Sequence, residues 1–325
     1  MNWLIVSTIG KNPGDEFIRH GISNVIKLID DDATGLVVDK ETHSIHKEHE
    51  FDKCVWAGMP VFWSLHNNTS WHVPWWSVLV NGWVSESKSD FCVLGAGSFQ
   101  DWQHIDRGLD RDKMHEQASL LNDRSHCVVV RDPVACDITG VDFPVQVCPA
   151  ILATYGLKKT KSTKACNLMP NGAHYGEFNQ SQHTHWQHKQ QQIASILLQN
   201  KYTFFAHNDA EYRHALSLGW DVDSIVNYNK DTRNMLNEYR NVDKFFGNRV
   251  HGCIVSRGNG ADVISCGYDS RQEAVKLSGA QTFLPEELDL NKFNDWAESE
   301  PNSVEFDSTH MMDWYCDVMT KFMHA

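Results

Sequence analysis

Buried strands followed by amphipathic helices recur on both sides of one polar stretch, and this alternation limits the possible folds most strongly. The run from Trp3 to Val6 is apolar without alternation, as in a strand of a parallel sheet that is covered on both faces. A loop and a helical repeat of apolar residues follow it. Residues 157–164 are rich in Lys and Thr and lack apolar periodicity, and the strand–helix pattern restarts after them. The sequence therefore predicts an α/β protein with two Rossmann-like lobes that face each other across a cleft.

The domain boundaries follow from that polar stretch. Residues 1–156 are predicted to form the N-terminal lobe, and residues 165–306 the C-terminal lobe. Residues 307–325 are predicted to form a C-terminal helix that packs back on the first lobe. The length of 325 residues agrees with two domains rather than one.

The composition excludes several classes of function. A net charge of -13 argues against a nucleic-acid partner, because phosphate backbones are bound by a surplus of Lys and Arg. No apolar run approaches the roughly 20 residues of a membrane span, and the apolar N-terminus is too short for a signal peptide. The nine cysteines include no CxxC pair and lie mostly in predicted strands, as buried thiols do. We therefore expect a cytoplasmic protein with neither a metal site nor a disulfide frame.

The segment from Lys244 to Val255 joins a buried strand to a helix and carries the strongest candidate site. Asn248 is the predicted N-cap of this helix, because its side chain accepts a hydrogen bond from a first-turn amide. Arg249 and His251 then lie in the first turn, beside unpaired amides and the positive end of the helix dipole. This group predicts an anion site with a proton donor; the alternative is an ordinary helix cap with a surface polar pair.

Further polar residues follow other predicted strands and therefore open on the same edge of their sheet. Arg131 directly follows an apolar strand and is a candidate anion ligand, although an ion pair with Asp132 or a neighbouring helix is an equal alternative. Tyr268 and Arg271 follow the strand after the His251 helix, and we assign them a role in binding phosphate or carboxylate.

Loops near the ends of other strands supply the remaining candidates. Gly14 allows backbone to approach a ligand closely, and Asp15 serves either as a hydrogen-bond acceptor or base for a ligand or as a helix cap. The others are Asn12 in the same loop, Gly97 and Ser98 in a Gly-rich turn, and Asn171 and His174 after the first strand of the second lobe. Seven tryptophans between residues 56 and 102 suit stacking on sugar rings, but a core or subunit contact is the preferred interpretation for most of them.

Five short motifs, in this order, resemble the signature of the polysaccharide pyruvyltransferase family. They are Gly14-Asp15-Glu16, Gly95-Ala96-Gly97-Ser98-Phe99, Val130-Arg131-Asp132-Pro133, Arg249-Val250-His251-Gly252 and Tyr268-Asp269-Ser270-Arg271. The family commonly carries Lys at the last of these positions, so Arg271 is a conservative departure. The resemblance implies a glycosyltransferase-B-like architecture, with the acceptor on the N-terminal lobe and phosphoenolpyruvate on the C-terminal lobe.

The resemblance also implies a reaction, in which a pyruvyl group moves from phosphoenolpyruvate to a saccharide with release of phosphate and formation of a pyruvate ketal. His251 fits the general acid, Arg249 the cradle for carboxylate and phosphate, and Asp15 an acceptor hydroxyl. No cofactor is implied, since phosphoenolpyruvate is a donor substrate. The implied acceptor is a saccharide or lipid-linked oligosaccharide of exopolysaccharide biosynthesis, and a homo-oligomer stays open.

Two other functions stay open as well. A glycosyltransferase of the same architecture would use the Arg and His side chains to hold the diphosphate of a nucleotide sugar. A catalytically silent saccharide-binding protein would keep the fold and bind sugar without releasing phosphate.

Overall fold

The computed structural model describes residues 1–40, 51–65, 68–69, 91–172, 180–302, 306 and 308–325. In the first lobe the described elements are β1 (Asn2–Ser7), α1 (Pro13–Ile29), β2 (Thr34–Asp39), β3 (Lys53–Phe62), β4 (Ser64–Leu65), β5 (Asn68–Thr69), β6 (Phe91–Ser98), α2 (Arg111–Arg124), β7 (Cys127–Val130) and α3 (Pro133–Thr139). The sheet has the order β2-β1-β3-β6-β7 with parallel pairs, and β4 and β5 form a small antiparallel hairpin.

The second lobe contains β8 (Thr163–Asn167), α4 (Gln180–Gln199), β9 (Thr203–Ala206), α5 (Asp209–Leu218), β10 (Ile225–Asn227), α6 (Thr232–Tyr239), β11 (Val242–Gly247), α7 (Val250–Gly258), β12 (Asp262–Cys266), α8 (Gln272–Leu277), β13 (Gln281–Phe283) and α9 (Leu290–Glu298). The helix α10 (Ser308–His324) ends the chain. The sheet order is β10-β9-β8-β11-β12-β13, again with parallel pairs. Counted from β8 this is the order 3-2-1-4-5-6 of the Rossmann fold, so the predicted fold class is confirmed.

Helix α1 lies between the two lobes and belongs to both cores. Its apolar face is buried in one cluster that also contains Ile5 and Val55 of the first sheet and Phe245 of the second. Phe17 on this helix is fully buried and meets the rings of His207 and Tyr239 edge-on, with centroids 5.8 and 5.4 Å away. Such aromatic contacts add about 0.5–1.5 kcal/mol each beyond the area that they bury. The first turn of α1 is therefore fixed against the second lobe.

The C-terminal helix α10 lies against the first lobe. The hydroxyl of Tyr315 donates a hydrogen bond to the carbonyl of Val147 at 2.6 Å, and the ring of Phe322 packs against Trp3 with centroids 6.1 Å apart. Burying a ring of this size stabilises the fold by about 2–3 kcal/mol, so these contacts hold the end of the chain in place. None of the described helices is both long enough and apolar enough to cross a membrane.

Two local predictions were wrong. The helix predicted near Asn248 begins at Val250, but its N-cap is Arg249 and not Asn248, whose side chain accepts a hydrogen bond from the amide of Met169 at 2.8 Å. The predicted Gly-rich turn after residue 94 is part of β6. There Gly95 has a φ of +78°, and the register with the neighbouring strand shifts without ending the strand.

Candidate active site

The carboxyl ends of the two sheets face each other, and polar side chains from both lobes meet there. Arg131 directly follows β7, and His251 lies in the first turn of α7. An Nη1 hydrogen of Arg131 reaches Nε2 of His251, with 3.0 Å between the nitrogens, so residues 120 positions apart meet across the cleft. In the second lobe the site lies beside β8 and β11, where the strand order reverses, as is usual for ligand sites in such sheets.

Arg131 is buried without a carboxylate partner. Its side chain is 1% exposed, its Nε has no hydrogen-bond partner, and among the described residues no carboxylate lies within 4 Å of the guanidinium. The neighbouring Asp132 instead caps α3, since its Oδ1 accepts from the amide of Ala135 at 3.0 Å and its Oδ2 from the amide of Ser98 at 2.9 Å. The ion pair considered from the sequence is therefore not formed. Asp132 thus offsets the charge of Arg131 only through space, and a bound anion that accepts from the buried guanidinium would stabilise it further.

The imidazole of His251 is neutral in this arrangement. Burial lowers the pKa of His251 well below its ordinary value of 6.5, and the positive charges of Arg131 and Arg271 lower it further. A guanidinium only donates hydrogen bonds, so Nε2 of His251 is the acceptor and the proton of the neutral ring lies on Nδ1.

Gly14 leaves the space that the His251 ring occupies. A Cβ atom on Gly14 would lie 2.2 Å from Nδ1 of His251, far inside any real contact. Asn12 caps α1, with its Oδ1 accepting from the amide of Gly14 at 3.1 Å. Asp15 is not the cap: its carboxylate accepts from the hydroxyl of Thr8 at 2.7 Å and lies 3.8 Å from Nζ of Lys40.

Arg249 is paired with Glu211, a residue that the sequence analysis missed. Nε of Arg249 donates to Oε1 of Glu211 at 2.6 Å, and Nη2 contacts the same oxygen. Glu211 is 1% exposed, and its Oε2 accepts from Nδ2 of Asn167 at 2.7 Å and from the amide of His207 at 2.9 Å. The sequence did contain a signal, since Asn208-x-x-Glu211 is a helix-capping pattern directly after a predicted strand.

Arg271 is also paired with a carboxylate of the protein, that of Asp269. Its Nε and Nη2 donate to the two oxygens of Asp269 at 2.8 and 2.7 Å, and its guanidinium lies 4.8 Å from the centre of the Phe99 ring in the other lobe. A Lys could not form this two-pronged pair. Tyr268 does not join this group, because its ring lies in the core of the second lobe and its hydroxyl donates to Glu286 at 2.8 Å.

The remaining predicted residues fall into three groups. The hydroxyl of Ser98 bonds that of Ser270 across the lobes at 2.7 Å, and Gly97 clears space for Arg131, whose Nε would be 2.4 Å from a Cβ there. Asn171 lies in an exposed turn and makes no observed contact with His251. His174 and four of the seven tryptophans lie outside the described residues. Within the described parts of the chain, no three His, Cys, Asp or Glu side chains are grouped as a metal site requires.

Comparison with known proteins identifies one family. A family model described as polysaccharide pyruvyl transferase matches residues 12–270, which include the first four motifs and all of the fifth except its last residue, Arg271. The fold is similar to UDP-GlcNAc 2-epimerase of Methanocaldococcus jannaschii (TM-score 0.56, 9% identity, covering 99% of this chain and 100% of that chain). It is also similar to a Listeria monocytogenes protein assigned as UDP-N-acetylglucosamine 2-epimerase (TM-score 0.53, 10% identity, covering 98% of this chain and 94% of that chain). No curated protein matches the chain. At these identities the structural likeness shows the two-lobed fold alone.

Proposed function

Because the chain belongs to the polysaccharide pyruvyl transferase family, we propose that it moves a pyruvyl group from phosphoenolpyruvate to a saccharide, forms a pyruvate ketal and releases phosphate. The observation that carries the proposal is the buried contact between Arg131 and His251. It joins a buried guanidinium that has no hydrogen-bonded carboxylate among the described residues to an imidazole at the facing strand ends. An anion binder beside a group that can carry a proton is what this reaction needs.

The proton balance assigns a role to His251. In the scheme, His251 gives a proton to the methylene carbon of phosphoenolpyruvate, which becomes the methyl group of the product. One acceptor hydroxyl adds to the neighbouring carbon, phosphate leaves that carbon, and the second hydroxyl closes the ring. The two hydroxyls lose two protons, of which one restores His251 and the other leaves with phosphate. No cofactor enters the scheme.

The contact between Arg131 and His251 ties protonation to donor binding. If the imidazole becomes protonated, both partners are donors and the hydrogen bond between them is lost. An anion that accepts from both groups restores the missing acceptor, and its charge raises the pKa of His251. We therefore propose that His251 takes up its proton together with phosphoenolpyruvate.

Three other residues have supporting roles in the proposal. Arg249 and Arg271, each held by a carboxylate, offer fixed N–H groups to the donor substrate. Asp15, at the first turn of α1, accepts from an acceptor hydroxyl. The acceptor is a saccharide or a lipid-linked oligosaccharide.

The experiment that tests the proposal measures phosphate release from phosphoenolpyruvate with a panel of galactosides and N-acetylmannosamine glycosides. His251→Ala is compared with the parent protein, and His188→Ala, an exposed histidine on α4, is the matched control. We expect release that requires both a sugar and His251 and that the control retains. Absence of release with every acceptor, together with no binding of phosphoenolpyruvate by calorimetry, would overturn the proposal. Stabilisation by a nucleoside diphosphate alone would then favour a nucleotide-sugar glycosyltransferase.

A further inference from the structure

Glu211 places a fixed negative charge against the anion site. It lies at the start of α5, where Asn208 caps the helix by accepting from the amide of Glu211 at 2.9 Å. Its Oε1 accepts from Arg249 and from Nδ2 of Asn208 at 3.2 Å, while its Oε2 accepts from Asn167 and from the amide of His207. Both oxygens are therefore fully hydrogen-bonded, and the carboxylate cannot swing away from Arg249.

The carboxylate of Glu211 is ionised at neutral pH. Burial would raise its pKa, but Arg249 and the hydrogen bond from the His207 amide hold the pKa of Glu211 below its ordinary value. The charge of Arg249 is consequently cancelled within the protein before any ligand arrives. Arg131 has no hydrogen-bonded carboxylate among the described residues, and the buried Asp132 offsets its charge only through space.

A transferase that releases phosphate must not hold phosphate too tightly, because binding that is equally strong before and after the reaction does not raise kcat. We propose that Glu211 sets how tightly the site holds phosphate-bearing ligands, by cancelling the charge of Arg249 while fixing the direction of its N–H groups. The inference rests on the proposed function and makes Glu211 a positioning residue that acts through Arg249. It predicts that removing the carboxylate tightens phosphate binding and slows turnover.

Inorganic phosphate, titrated by calorimetry, is the probe for this inference. At an effective dielectric constant of about 20, one unit charge within about 10 Å of another changes a binding constant by about tenfold or more. Glu211→Gln keeps the size of the side chain and removes its charge, so its phosphate affinity should rise by at least tenfold. Asp262→Asn is the charge-matched control, because Asp262 lies at the opposite end of the second sheet and should leave the affinity unchanged. An unchanged or weaker affinity in Glu211→Gln would overturn the proposal.

A double variant keeps the test decisive if Glu211→Gln does not fold. Glu211→Gln with Arg249→Gln removes both buried charges, which proteins tolerate better than the loss of one. It is compared with Arg249→Gln alone, since both variants lack the N–H groups of Arg249. The double variant should bind phosphate about tenfold more tightly than Arg249→Gln, because it also lacks the charge of Glu211. Equal affinities would show that this carboxylate does not oppose the anion, which contradicts the inference.

Turnover separates this inference from the proposed function. In the expected outcome, Glu211→Gln releases phosphate from phosphoenolpyruvate more slowly and is inhibited by lower concentrations of phosphate. A protein that never releases phosphate, but whose Glu211→Gln variant binds phosphate more tightly, would reject the transferase and keep the role of Glu211. A phosphate affinity of Glu211→Gln that does not fall when Arg131→Gln is added would place the phosphate elsewhere and reject the inference.

Discussion

Replacing Gly14 by Ala should displace the His251 ring while leaving the imidazole itself unchanged, so it tests whether the position of the ring matters. Gly14 lies in the first turn of α1 with a helical backbone that Ala readily adopts, and Ala is favoured over Gly in a helix interior by up to about 1 kcal/mol. The substitution therefore carries no conformational penalty of its own. Its cost comes from the new Cβ, which would lie 2.2 Å from Nδ1 of His251.

The size of the effect follows from this distance. Ordinary contacts begin at 3.4 Å, so the ring of His251 must retreat by at least 1.2 Å. The 3.0 Å contact with Arg131 does not survive such a shift without a matching movement of a buried guanidinium. Misplacing a reacting group by about 1 Å costs about 100-fold in rate, so we expect Gly14→Ala to lower kcat by about that factor while the protein stays folded.

Phosphate release and thermal unfolding are measured for Gly14→Ala, for His251→Ala and for the double variant. Gly35→Ala is the control, because a Cβ there would meet nothing closer than a carbonyl oxygen at 3.7 Å. Once the ring is removed, Gly14→Ala should cause no further loss, so the double variant should match His251→Ala. Full activity of Gly14→Ala, or an equal loss in the background that lacks the imidazole, would refute the reasoning.

Three further predictions concern the lobe contact and pH. Tyr228→Phe combined with Thr232→Val removes the two hydroxyls that bind Glu16 across the lobes, so the free energy of unfolding in urea should fall by about 2–5 kcal/mol; an unchanged value would contradict the contact. The pH profile of kcat should give a higher pKa than the pH profile of kcat/KM, because a bound anion raises the pKa of His251 in the complex; equal pKa values in the two profiles would contradict the coupling. Burial lowers the pKa of His207 from 6.5 to about 4, so folding stabilises its neutral form. The free energy of unfolding should therefore be about 2 kcal/mol lower at pH 5 than above pH 6.5, and this difference should be smaller in His207→Gln.

The fold was predictable because its signals are local. Apolar strands such as Trp3 to Val6, each followed by a loop and a helical repeat, define parallel α/β lobes wherever they occur. The placement of Arg131, His251 and Arg271 at facing edges followed from the rule that polar residues after parallel strands share one edge. Local patterns could not predict the contact between Arg131 and His251, because the distance between these two side chains depends on how α1 packs between the lobes.

The missed and misread residues have physical explanations. The glycines before Ser98 predicted a turn, whereas Gly95 accommodates a shift in register within a continuing strand. Asn248 is a residue type that often caps helices, but its side-chain oxygen accepts a hydrogen bond from the amide of Met169 in another loop instead. Glu211 was passed over because an acidic residue at the start of a helix usually faces water, and its buried partner Arg249 lies 38 positions away.

The anion site has to be built locally, because the chain as a whole is acidic. A net charge of -13 gives no long-range attraction for a ligand such as phosphoenolpyruvate. Two of the three arginines at the site, Arg249 and Arg271, are paired with Glu211 and Asp269, so they contribute directed N–H groups without excess charge. Arg131 has no hydrogen-bonded carboxylate among the described residues, and Asp132 offsets its charge only through space. In the proposed reaction, Arg131 and a proton on His251 would together balance the dianion at the point where an anion holder and an acid are both needed.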